Sequence, residues 1–252
     1  MRSRFLKQFI YGSLYLVVLA GIVYAAYVTL IRPAPSCFDN RQDQGETEVD
    51  CGGPNCESCD LKRLEPISVL GSPEILGIMT SQSTLFMKIK NPNQNYGADF
   101  SYSVKIYDEN DVLVHTVQSD AYIYAAQIKA VADIALPFEA RRVARTEVDI
   151  ANVQWRKAAD FSDPALTTRG LKTTVTANQA KVSGLAANSN GYRVGKVGVM
   201  AVLYNENGFR VSVSKTTLEN ITAFEERAFT VNVLFGGKID PTKTEVYVEA
   251  RR

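Results

Sequence analysis

Apolar positions are distributed in three different ways along this chain. From Phe9 to Ile31 they run for 23 residues without a charge (FIYGSLYLVVLAGIVYAAYVTLI), and about 20 suffice for a helix to cross a hydrocarbon core. Between Cys37 and Cys59 almost nothing is apolar apart from Phe38 and Val49. After a charged joint, Asp60–Pro66, the pattern turns to period two. Phe100, Tyr102, Val104 and Ile106 share one face, and Phe229, Val231, Val233 and Phe235 alternate with Thr230 and Asn232. Such alternation is that of half-buried strands. Valine, tyrosine and threonine are frequent, which suits sheets. Short helices or irregular turns are expected only near 161–166 and 123–128.

The first pattern predicts a transmembrane helix over 9–31. Tyr11 and Tyr15 near one end, with Tyr24 and Tyr27 near the other, suit the interfacial belts. Arg2, Arg4 and Lys7 precede the run and only Arg32 follows it closely. The positive-inside bias therefore places a stub, 1–8, in the cytoplasm and the remainder outside the cell membrane. A cleaved signal peptide is the competing reading, because Val23-Tyr24-Ala25 has the small-residue spacing of a cleavage site. Against it, the run is longer than an h-region of about 7–15 residues.

The third pattern repeats. Val104–Asn110 aligns with Ala201–Asn207 at an offset of 97, and Glu147-Val148-Asp149 with Glu245-Val246-Tyr247 at 98. A constant offset predicts two copies of one β fold, over 66–157 and 165–252, joined through Ala158–Pro164. Each copy has the size of a sandwich of about seven or eight strands. Asn207-Gly208 is a hairpin signal in the second copy.

Composition narrows the function. Of 252 residues, 28 are Lys or Arg and 27 Asp or Glu, a net charge of +1. That balance gives no reason to expect nucleic acid. A single histidine excludes His-rich metal sites and most His-based relays. His115 reads as an ordinary strand residue, and Ser212-x-x-Lys215 on a strand would point its two side chains to opposite faces. Arg141, Arg142 and Arg145, flanked by Glu139 and Glu147, read as a solvated face. Trp155 reads as packing. No catalytic residue is expected.

The four cysteines, Cys37, Cys51, Cys56 and Cys59, are separated by 13, 4 and 2 residues. Zinc ligation or a Cys-x-x-Cys redox pair competes with two disulfides. Only one couple is closely spaced, whereas zinc sites usually pair two. In an oxidising compartment, two disulfides in a module over 32–60 are expected; four cysteines allow three connectivities. Asp39, Asp43, Glu46, Glu48 and Asp50 are candidate metal ligands, since calcium takes six to eight such oxygens. The other reading is a solvated loop whose Asp side chains cap turns. No other cofactor is expected.

The residues Cys37, Asp39, Glu46, Thr47, Val49, Asp50, Cys51, Gly52, Gly53, Cys56 and Cys59 fit the pattern Cys-x-Asp-Gly-x-x-Asn-x-x-Glu-Thr-x-Val-Asp-Cys-Gly-Gly-x-Cys-x-x-Cys. This resembles a short module of bacterial secreted and surface proteins. Asn40 and Asp43 depart from it, and Asn55 is an extra residue. Asn91-Pro92-Asn93, Phe100, Ile106-Tyr107-Asp108 and Leu203-Tyr204 resemble bacterial extracytoplasmic domains with a Phe-x-Leu-Tyr-Asp signature and the late-embryogenesis-abundant type 2 sandwiches. The resemblance implies immunoglobulin-like or fibronectin-like β-sandwiches that bind or space. The expectation is a mainly β, non-enzymatic, membrane-anchored envelope protein that meets a protein partner or itself. A calcium- or small-ligand-binding surface protein is the alternative.

Overall fold

The computed structural model describes residues 2–28, 36–43, 45–79 and 81–251. The chain divides into two compact units, Met1–Leu64 and Glu65–Arg252. The first contains helix α1 (Arg2–Ala26) and a one-turn helix, α2 (Cys59–Lys62). Within α1 the stretch Lys7–Ala26 has a mean hydropathy of 2.0 and none of it is buried. Its 20 residues span about 30 Å, the thickness of a bilayer core. By length and composition this open apolar helix fits a membrane anchor or a signal sequence. The end of the expected span, 29–31, lies outside the described residues.

The second unit is mainly β, with short 3-10 turns at Ala140–Arg142 and Pro241–Lys243; its strands are β1 (Ser68–Met79), β2 (Gln82–Lys90), β3 (Tyr96–Tyr107), β4 (Leu113–Ile123), β5 (Ile128–Leu136), β6 (Arg145–Lys157), β7 (Leu166–Thr176), β8 (Gln179–Asn188), β9 (Val194–Tyr204), β10 (Arg210–Ile221), β11 (Glu226–Leu234) and β12 (Glu245–Ala250). They form four antiparallel sheets, β1-β2-β5, β4-β3-β6, β11-β8-β7 and β10-β9-β12. Each half of the unit thus supplies six strands, not seven or eight. The second six pair in the same order as the first. The segments 124–127 and 158–165 are turns and irregular chain rather than helices.

Alternation places the cores as the sequence pattern requires. Ala98, Phe100, Tyr102, Val104 and Ile106 of β3 face Leu85, Met87 and Ile89 of β2 in one buried cluster, which Trp155 joins from its margin. Phe229, Val231 and Val233 of β11 meet Val197, Val199, Ala201 and Leu203 of β9 in another. A third cluster unites the outer faces of two sheets. Leu76, Phe86, Ala130 and Ala132 pack on Met200, Val202 and Val213. Strands β2 and β9 are therefore buried on both faces, so the run from Val197 to Tyr204 is almost continuously apolar.

The halves also repeat particular contacts. The buried Asn91 amide donates to Tyr96 O (2.6 Å) and Tyr124 O (3.0 Å). Asn188 donates to Tyr192 O (2.9 Å) and Thr222 O (2.8 Å). Asp108 Oδ1 accepts from the N–H groups of Asn110 (2.9 Å) and Val112 (3.0 Å). Asn205 Oδ1 does the same for Asn207 and Phe209, both at 3.0 Å. The turn needs an acceptor oxygen and no charge, so Asn substitutes for Asp there.

Candidate functional sites

The cysteine module is stapled by Cys37–Cys56 and Cys51–Cys59, one of the three pairings the sequence left open. Glu48 and Cys51 close a tight turn by exchanging backbone hydrogen bonds, each 3.2 Å, with Asp50 at φ 56°. Gly52 and Gly53 follow at φ 75° and 72°. A Cβ on Gly53 would stand 2.3 Å from Gly45 O, and one on Gly52 would stand 2.5 Å from Thr47 Oγ1. Glycine is required there by backbone conformation and by close approach.

The five acidic candidates lie on this scaffold, where several of their oxygens accept from backbone N–H groups. Asp50 Oδ1 accepts from Asp39 and Asn40, both at 2.9 Å. Buried Glu46 accepts through Oε2 from Asp50 (3.0 Å) and Asp43 (3.3 Å). Asp39 Oδ1 accepts from Arg41 N (2.9 Å), and Glu48 pairs with Arg63. Asp43 Oδ1 is enclosed and has no partner among the described residues. Two groupings bring acidic oxygens near sulfur: Cys37, Glu46 and Cys56, and Glu48, Cys51 and Cys59. Their sulfurs are consumed in disulfides and offer no thiolate to a metal.

In the β unit the residues singled out from the sequence have the following neighbours. His115 is half-buried on β4 with its ring 5.5 Å from that of Phe138. Ser212 Oγ donates to Leu234 O (2.6 Å), while Lys215 reaches the opposite way to Ala132 O. Arg141 pairs with half-buried Glu139 (2.7 Å), and exposed Arg145 pairs with Asp111 (2.8 Å) and Glu147 (2.5 Å).

The sheet edges differ in how they are protected. β1 is interrupted between Leu70 and Glu74, where Gly71 has φ 74° and Pro73 has no N–H. On β6, Asn152 has φ 54° beside a register shift. β7 slips between Arg169 and Lys172. Bulges and proline blunt such edges. β4 keeps an unbroken register with β3 from His115 to Ile123, as the edge strands β11 and β12 do with β8 and β9, but it also flanks an open cleft. The cleft is lined by His115, Gln118, Asp133, Ile134 and Lys215. Tyr102 donates to Asp133 Oδ2 (2.6 Å) at this cleft. Burial, followed by that carboxylate, raises the phenol above its ordinary range. Sequence reasoning did not find this edge, since freedom from bulges is a property of pairing.

No protein-family model and no curated protein matches the chain. Among solved structures, the crystal structure of red sea bream transglutaminase is similar at 10% identity, over 75% of this chain and 31% of that one, with a TM-score of 0.23. The chain spans about a third of that enzyme's length. A likeness at this level carries no argument.

Proposed function

We propose that this is a non-enzymatic protein anchored by α1, with its N-terminus in the cytoplasm and its folded units outside the membrane, and that it acts in the cell envelope through protein–protein contacts. The observation that carries the reading is a span-length apolar helix with every face open, in the same chain as a module closed by two disulfides. Lipid is the solvent such a helix requires, and disulfides persist in oxidising compartments. The β unit is read as two tandem immunoglobulin- or fibronectin-like sandwiches. The shared strand order and the paired Asn91/Asn188 and Asp108/Asn205 contacts support this. Contact by strand addition falls on β4, a regular edge that lies beside the open cleft.

The test is photo-cross-linking in the native membrane from a benzophenone side chain at exposed Gln118 on β4, with Lys181 on β8 as the comparison site. A discrete stoichiometric product from Gln118 and none from Lys181, either a partner or the protein itself, is expected. Equal or no capture at the two positions removes β4 as the contact.

The enclosed, unpartnered Asp43 Oδ1 beside Glu46 favours a second reading, calcium binding by the acidic module. Its sign is a melting temperature that rises with millimolar calcium and falls back with chelator.

A further inference from the structure

The third apolar cluster joins the two β halves, but apolar contact is non-directional and does not by itself set the angle between them. The end of β12 supplies direction. Three consecutive residues there each grip the first half. Glu249 Oε2 lies 2.6 Å from Lys129 Nζ on β5. The carbonyl of Ala250 accepts from Tyr124 OH (2.9 Å). Arg251 pairs with Asp99 on β3 (2.9 Å). Lys129 is 8% exposed at its side chain, with its ammonium 3.3 Å from the centre of the Tyr122 ring.

We propose that Glu249-Ala250-Arg251 is a clasp that locks the two β halves into one rigid body. The carboxylates that face Lys129 are Glu249 and Asp163, and Lys215 is the other charge that faces it. Both carboxylates lie beyond β6, so the first half buries a cation whose counter-charges come from elsewhere in the chain. Opening the clasp strands that ammonium under Tyr122, and a buried charge that has lost its partner costs far more than an intact pair contributes. Burial pulls the Lys129 ammonium below its ordinary range, with Glu249 opposing the shift.

The joint between the halves is also pinned down. Phe161 is 1% exposed, with its ring 4.7 Å from that of Tyr124 and 6.2 Å from that of Tyr122. A Cβ on Gly97 would stand 2.8 Å from Phe161 Cδ1. Gln127 donates to Asp163 (3.1 Å), and Ala158 N donates to Asn95 O (2.9 Å). The joint expected at Ala158–Pro164 is packed against the first half through Phe161, and clasp and joint act at the same end of the apolar seam.

The experiment is a distance measurement between nitroxides on Lys105→Cys of β3 and Thr230→Cys of β11, in the full chain in detergent micelles, by pulsed electron resonance. The unmodified clasp should give one narrow distance. Glu249→Gln keeps the shape and removes the charge, and should widen the distribution about twofold. Arg251→Ala leaves the Lys129 pair in place and should widen it less. Met200→Asp, in the seam, calibrates full opening. A distribution as narrow as the parent's in both Glu249→Gln and Arg251→Ala overturns the clasp. If Glu249→Gln loses β structure by circular dichroism, the width in Arg251→Ala decides alone.

Discussion

Residues 36–64 and residues 65–251 hold their shape by different means. The β unit buries three apolar clusters and contains no cysteine. The module buries Cys51 and Glu46 and leaves Phe38 89% exposed. Too short to enclose a core, the module is held by covalent bonds and by carboxylates that cap its own backbone. The difference teaches where each part is vulnerable. The module answers to redox conditions, and the β unit answers to loss of packed volume.

Reduction should separate them most sharply. Chain-entropy arithmetic for separations of 19 and 8 residues assigns the two disulfides about 3 and about 2.5 kcal/mol. Excess reductant should abolish amide protection across 37–59 in hydrogen exchange and leave β2, β3, β8 and β9 unchanged. Simultaneous loss of protection in the β strands would break the comparison.

Core truncation comes next and runs the other way. Ile106→Ala and Leu203→Ala, each 0% exposed, should each cost about 2–5 kcal/mol in denaturant unfolding, with protection of the module intact. A loss confined to one of the two would show that the halves differ in how well they collapse around a cavity.

The smallest effect is electrostatic. Glu225 accepts from Thr222 N and Oγ1, both at 2.7 Å, and from Arg227. The Thr222 backbone N–H leads these interactions in holding its carboxyl down at about 2, from an ordinary 4.5. A depressed folded value means stability that is present above 4.5 and lost as pH falls towards 2. Glu225→Gln should flatten the melting temperature's dependence on pH across that window and change nothing in the module. An unaltered slope would remove Glu225 from the acid response of the β unit.

Much of the architecture was legible because it rests on local periodicity. Alternation in 100–106 and 229–235 marked β3 and β11 and their buried faces. The 97-residue offset marked contacts that recur, down to Asn205 standing for Asp108 as a turn acceptor. The five acidic candidates were legible as a cluster, but their main occupation, accepting from their own backbone, was not. Nor was the strand count, because length alone does not say how many strands a β fold uses. The continuous apolar run in β9 did carry a signal for two-sided burial. Its meaning depended on which sheet lay against the second face.

The sequence by itself determined that one segment is a span-length apolar helix, that the cysteines form a module poor in apolar residues, and that the rest is β. Each follows from the order of side chains along a few turns or strands. Tertiary structure alone decided the disulfide pairing, the seam between β2 and β9, the burial of Phe161 and the meeting of Lys129 with Glu249. Those contacts join residues from 8 to 120 positions apart, and a linear pattern does not record which distant faces come together.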